Sequence, residues 1–184
     1  MIAATPHICD FGAALPDFAL PDTNGRLIRR DDIVGKRGTL VMFICNHCPY
    51  VITALDRLLT DARELINLDI GVVAISANDI TTHPQDAPDK MAALARDRAF
   101  PFPYLYDETQ DVARAFGAVC TPDFFGYNAN GGLQYRGQLD AGRPNAILAD
   151  MRRDLFLGMK QIAETGIGPR DQVPSMGCSI KWKA

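Results

Sequence analysis

Residues 38–66 constrain this chain most. The run "GTLVMFI" is short and continuously apolar, and it ends in "CNHCP", two cysteines two residues apart followed by a proline. Such a run suits a strand buried on both faces, as in a parallel sheet. Beyond it Leu55, Leu58, Leu59, Ala62, Leu65 and Ile66 recur three and four apart, which predicts a helix with one apolar face. Asp56, Asp61, Arg63 and Glu64 are expected largely on its other side. A strand that feeds a helix through a Cys-x-x-Cys needs a sheet with helices packed on it.

The rest of the chain repeats this alternation. "PDFALPDTNGRLIRRDDI" reads as an N-terminal hairpin, with Asn24-Gly25 as a two-residue turn. "IGVVAIS" is a second buried strand, and "DKMAALARDRA" a second helix entered through "THPQDAPD". "PYLYD" gives a third strand, and "DVARAFG" a short helix ended by Gly117. "DFFGYN", "ANGG" and "LQYRG" form an antiparallel hairpin. A long helix is expected from about Asn145, with Ile147, Leu148, Met151, Leu155, Met159 and Ile162 as its buried stripe. The order predicts an α/β sandwich with a mixed sheet covered on both faces. We expect a single domain over 1–184, with residues 165–184 as a docked irregular tail.

Composition narrows the class. At 184 residues the chain can bury a core without staples. A formal net charge of -3 offers no broad basic field for nucleic acid or anionic lipid. No apolar run reaches the ~20 residues of a membrane span. "MIAATPHICDFGAALPDF" does not read as a secretory signal, so a reducing cytoplasm is the expected setting. There the five cysteines, Cys9, Cys45, Cys48, Cys120 and Cys178, are more often catalytic, metal-binding or inert than stapled, and their odd number agrees.

Cys45 stands at the carboxyl end of the buried strand, where reactive groups of open α/β sheets gather. The positive start of the following helix is expected to lower its pKa. Pro49 suits the first helical turn, and Cys48 would sit beside and partly beneath Cys45. His47, when protonated, would stabilise a Cys45 thiolate and make a disulfide more oxidising; a solvated loop histidine is the plainer reading. Two alternatives stand beside redox chemistry. The cysteines could be small buried hydrophobes, or they could bind metal. Zinc normally takes a second Cys or His pair, and His7 and His83 are single and far apart in sequence. Copper held by two thiols and His83 is the remaining metal option. Asn78 and Asp79 end the second strand and either line the cleft or cap a turn. Cys9 carries no functional expectation and is expected in a mobile N-terminal arm.

"LPDFALPDTNGRLIRRDDIVGKRGTLVMFICNHCPYV", "VCTPDFF", "GYNANGGLQYRGQLD" and the tail "GCSIKWK" together resemble the thioredoxin-like redoxin family. This grouping holds the alkyl hydroperoxide reductases and thiol-specific antioxidants, and the likeness is greatest to its peroxiredoxin-like branch with a Cys-x-x-Cys. The resemblance implies a thioredoxin-like three-layer sandwich and a thiol–disulfide oxidoreductase in which Cys45 attacks and Cys48 resolves. It also implies that Thr121-Pro122 is cis and faces the pair. With His47, these residues would contact substrate, and the adjoining strand edge would take an extended peptide. Cys120 and Cys178 are accessory thiol candidates, or simply buried cysteines, with Ile180 and Trp182 packing the tail.

A thiol peroxidase is the second chemistry of such a family, with Cys48-Pro49 in the peroxidatic position. Peroxiredoxins, however, carry a Thr or Ser three residues before that cysteine and a Pro seven before it; here stand Cys45 and Val41. Two thioredoxin features are also missing: Ile44 replaces the Trp before the first cysteine, and Thr39 lies near the place of the buried acid. No organic or metal cofactor is implied. Expected partners are a protein or small-molecule disulfide or thiol and an upstream thiol reductant, with the chain a monomer or homodimer.

Overall fold

The computed structural model describes residues 3–6, 9–144, 146 and 150–183. In chain order its strands are β1 (Ala3–Ala4), β2 (Ala19–Pro21), β3 (Leu27–Arg29), β4 (Gly38–Phe43), β5 (Ile70–Ser76), β6 (Tyr104–Tyr106), β7 (Cys120–Thr121), β8 (Asp123–Tyr127), β9 (Leu133–Tyr135) and β10 (Gly177–Ser179). Its α-helices are α1 (Arg30–Ile33), α2 (Pro49–Ile66), α3 (Pro88–Asp97), α4 (Asp111–Phe116) and α5 (Asp154–Thr165). A 3-10 turn, Pro84–Asp86, precedes α3.

The central sheet runs β6-β5-β4-β8-β9. β4 is parallel to β5 and antiparallel to β8, so the sheet is mixed and flanked by helices, as the alternation predicts. β4 lies at its middle with all six residues buried, which is why its sequence lacks polar alternation. Side chains nonetheless alternate between two cores. Leu40 and Met42 join Val72, Ala74, Phe124 and the apolar faces of α2 and α5. Val41 and Phe43 join Val73, Ile75, Phe125 and Phe116 of α4. Phe116 meets Phe43 and Phe125 edge-on, with ring centroids 5.4 and 5.5 Å away.

Several expectations need correction. The β2–β3 hairpin does not turn on two residues. Asp22 Oδ1 accepts the Asn24 and Arg26 amides at 2.8 and 2.9 Å, and of Asn24 and Gly25 only Gly25 has positive φ, 78°. Asp61 is buried within the α2 stripe because Arg153 reaches it at 2.7 Å and also binds Glu64. α5 begins at Asp154, after Asp150 takes a φ of 59° that a helix cannot accommodate. Leu155, Met159 and Ile162 form its buried stripe, whereas Met151 precedes the helix, and Asn145, Ile147 and Leu148 lie outside the described residues. Finally, the tail is not wholly irregular. β10 lies between β1 and β7 in a three-stranded antiparallel sheet, with Cys178 opposite Thr121. Gly177 permits this, since a Cβ there would stand 2.1 Å from the Thr121 carbonyl oxygen.

Among the described residues no helix is long and apolar enough to cross a membrane. Cys9, expected in a mobile arm, is buried in the second core with Phe18 and Ile180, and burial pushes its thiol up to about 11.

Candidate active site

The site forms where β4 ends and α2 begins. Ile44 continues the sheet by giving its amide to the Ile75 carbonyl at 3.0 Å, and Cys45 follows it. Pro49 occupies the first helical turn, which makes Cys48 the N-cap, and the Ile52 amide closes on the Cys48 carbonyl at 2.9 Å. The positive helix end therefore faces the sulfur of Cys48, not that of Cys45 as expected.

Both thiols are sealed: Cys45 is 1% exposed and Cys48 0%. Thr121 touches both. Its Oγ1 lies 3.2 Å from Cys45 Sγ, and its carbonyl oxygen accepts from the Cys48 thiol at 3.0 Å. The Thr121-Pro122 bond is cis. Cys178 Sγ also lies 2.7 Å from Cys48 Sγ.

These neighbours divide the two thiols electrostatically. Cys48 is lowered to about 5, chiefly by the Cys45 thiol proton beside it, against burial, and further by the Cys178 thiol. The amides of Val51 and Cys178 add to this, though Val51 closes no full capping bond. When Cys48 is ionised these donors outweigh the single carbonyl of Thr121 named above. Cys45 is raised because its proton is held toward Cys48, because it is buried, and because the Asp86 carboxylate adds like charge. Both effects favour ionisation at Cys48 over ionisation at Cys45.

His47 does not serve Cys45 as expected. Its Nδ1 lies 2.7 Å from Asp86 Oδ2, and its ring stacks on His83 with centroids 5.0 Å apart. The two histidines that look unrelated in sequence are therefore neighbours. Asp86, fully buried, also accepts from the Asn46 amide and Asn78 Nδ2, both at 2.8 Å. Asn78 Oδ1 in turn accepts the Lys181 amide at 2.9 Å, fastening the tail to this hub. Asp79 caps its own turn, accepting from the Thr81 amide and the Thr82 hydroxyl. Donor atoms of Cys45, His47 and Asp86 lie within 4.8 Å of one another, a set unlike the Cys45, Cys48 and His83 considered for copper. The His47–Asp86 bond satisfies two of these donors without an ion.

Cys120 is fully buried, raised by that burial, and directs its thiol at the Pro122 carbonyl at 3.5 Å rather than at the pair. Ile180 is buried, but Trp182 is 41% exposed and stacks under Arg114. Sequence reasoning passed over Asp86 altogether; its only local signal is an acid inside the proline-bounded "THPQDAPD".

A mixed sheet flanked by helices, with two thiols at a strand–helix junction against a cis-proline turn, defines a thioredoxin-fold redox protein of the thiol class. The chain belongs to the AhpC/TSA family, which it matches over residues 11–137. It is similar over its whole length to an uncharacterized conserved protein from Geobacillus kaustophilus, at 39% identity and a TM-score of 0.94, covering 100% of this chain and 97% of that one. A hypothetical protein from Sinorhizobium meliloti 1021 is 35% identical, with a TM-score of 0.93 and 98% of each chain covered. Peroxidoxin BcpB from Mycobacterium tuberculosis shares the fold, at 19% identity and a TM-score of 0.61 over 89% of this chain and 100% of that one. None of the curated proteins matches the chain.

Proposed function

We propose that the chain is a thiol–disulfide oxidoreductase whose Cys45 and Cys48 cycle between dithiol and disulfide. The observation that carries this reading is the placement of the pair: Cys48 is the N-cap of α2, where a thiolate is favoured, and Cys48 Sγ and Cys45 Sγ lie 3.0 and 3.2 Å from oxygens of Thr121. A thiolate is the attacking species in exchange. Attack therefore starts at Cys48 and Cys45 resolves, the reverse of the order the resemblance implies. Cys48 Sγ displaces one sulfur of the substrate disulfide; Cys45 then attacks Cys48, expels the second sulfur and gives up its proton. An upstream thiol in a reducing compartment returns the pair to its dithiol. Pro122 and Thr121 frame the pair, and His47 positions the Asn46–Cys48 loop through Asp86.

The seal over both sulfurs supports a second reading, thiol peroxidase activity, because a hydroperoxide is small enough to reach a buried thiolate. Cys48 would become a sulfenic acid and Cys45 would condense with it, releasing water. The metal alternative has less support, since His47 and Asp86 already satisfy each other.

The test is turnover of glutathione disulfide and of hydrogen peroxide by wild type and the Cys48→Ser variant. Loss of at least about a hundredfold in Cys48→Ser is expected for an essential nucleophile. A Cys48→Ser chain as active as wild type on both substrates would refute the reading. The ratio of the two wild-type activities decides between disulfide and peroxide.

A further inference from the structure

We infer that Cys178 is a third redox thiol, which the tail presents to Cys48 in the place a substrate strand would occupy. This rests on the dithiol reading above and extends it. The strand edge beside the cis-proline, expected to receive an extended peptide, is already filled. β10 pairs antiparallel with β7, Cys178 is register partner of Thr121, and Cys178 Sγ stands 2.7 Å from Cys48 Sγ. Nothing about this placement is loose. The close approach depends on Gly177. The tail is also tied down by Lys181 to Asn78, by Ile180 to the Val119 carbonyl at 3.1 Å, and by Gln110 Nε2 to the Lys181 carbonyl at 2.8 Å. An external peptide cannot add to this edge while β10 holds it.

The step is an exchange without net oxidation. Once a disulfide or hydroperoxide substrate has oxidised the pair, Cys178 attacks Cys48 Sγ of the Cys45–Cys48 bridge. The Cys48–Cys178 bond forms and the Cys45–Cys48 bond breaks. The electron pair passes to Cys45 Sγ, which takes up the proton that Cys178 released. Thr121 Oγ1, 3.2 Å from Cys45 Sγ, is placed to donate to the departing thiolate.

Oxidation itself arms Cys178. In the dithiol state its thiol is pushed up to about 12 by burial and by the adjacent Cys48 thiolate, while Lys181 pulls the other way. When Cys48 enters a disulfide its charge disappears and the Lys181 ammonium remains. Exchange then moves oxidising equivalents from the sealed pair to the tail and restores the Cys45 thiol.

Tryptic mapping reads this directly. Residues 38–57 carry both Cys45 and Cys48, and residues 171–181 carry Cys178. The Cys45→Ser chain is treated with one equivalent of glutathione disulfide, quenched in acid and alkylated. The expected product has lost two thiols, carries no glutathione, and links 38–57 to 171–181 within one chain, about a hundredfold over any intermolecular dimer. Cys45→Ala is run in parallel in case the serine variant folds poorly, and wild type is mapped alongside. If both variants stop at a Cys48–glutathione adduct with Cys178 alkylated, the relay is overturned; a Cys45–Cys48 bridge in wild type then leaves the dithiol reading standing. If wild type also keeps Cys45 and Cys48 reduced, the dithiol reading fails and takes the relay with it.

Discussion

Replacing Cys45 by Ala removes the thiol proton that contributes most to the lowered pKa of Cys48. A hydrogen bond to a charged group is worth about 1.5–3 kcal/mol, and one pKa unit is about 1.36 kcal/mol, so the loss amounts to about one to two units. The Cys48 midpoint should move from about 5 in wild type to roughly 6–7 in Cys45→Ala. Cys45→Ser keeps a donor and should move less. Thiolate absorbance near 240 nm, followed from about pH 3 to 10, measures this without any reagent having to reach the sealed sulfur. Cys48→Ser supplies the control. Cys9, Cys120 and Cys178 are all raised, chiefly by burial, and Cys45 stays buried near the Asp86 carboxylate, so that variant should show no thiolate below about pH 8. A titration near pH 5 that survives in Cys48→Ser and vanishes in Cys45→Ala would put the thiolate on Cys45. The order of attack argued above would then be wrong.

Three further outcomes follow from the same contacts. At pH 7 a Cys48 thiol whose pKa, about 5, lies two units below the pH stabilises the dithiol by about 2.7 kcal/mol, which makes the disulfide about 60 mV more oxidising; equilibration with glutathione at or below about −270 mV, the thioredoxin value, would contradict this. Asp86→Ala strips the acceptor from Asn46, His47 and Asn78, and a loss of about 2–5 kcal/mol should lower Tm by about 5–15 °C; an unchanged calorimetric Tm would refute the hub. Burial lifts Asp123 to about 6 from 3.8, against the pull of Arg136. A raised folded-state pKa gives stability that is full below the unfolded value and lost as pH rises through the folded one, here from about 4 to 6 and at most about 3 kcal/mol. Urea midpoints across that window should fall less steeply in Asp123→Asn; Asp61, also lifted to about 6 by burial, keeps its own share of the slope. Equal slopes in the two proteins would show that Asp123 does not titrate there.

How much of this was legible in the chain depends on the range of the forces involved. β4, β5 and α2 are encoded by local periodicity, because each buries a face whose spacing the sequence displays. The N-cap at Cys48 was legible too: a proline at the first helical position puts the cap one residue earlier, and the orphan amides face the cap. Reading Cys45 as the residue at the helix tip overlooked that single step. Asp86 was not legible, because its value lies in three donors, two of them about forty residues away. Asp61 looks like a solvent-facing acid until Arg153 arrives from the N-cap of α5.

The tail is the instructive case. Gly177, Cys178 and Ser179 have no strand propensity of their own and no alternation to detect, and Gly disfavours a strand interior. They become a strand because Ala3–Ala4 and Cys120–Thr121 supply partners on both sides. A segment held in this way depends on both neighbours for its pairing, and its one reactive side chain, Cys178, lies 2.7 Å from Cys48 Sγ. If packing alone had selected that position, any small apolar residue opposite Thr121 would serve. Cys178→Ala should then leave the rate of oxidative turnover unchanged, whereas a relay thiol makes that rate depend on its sulfur.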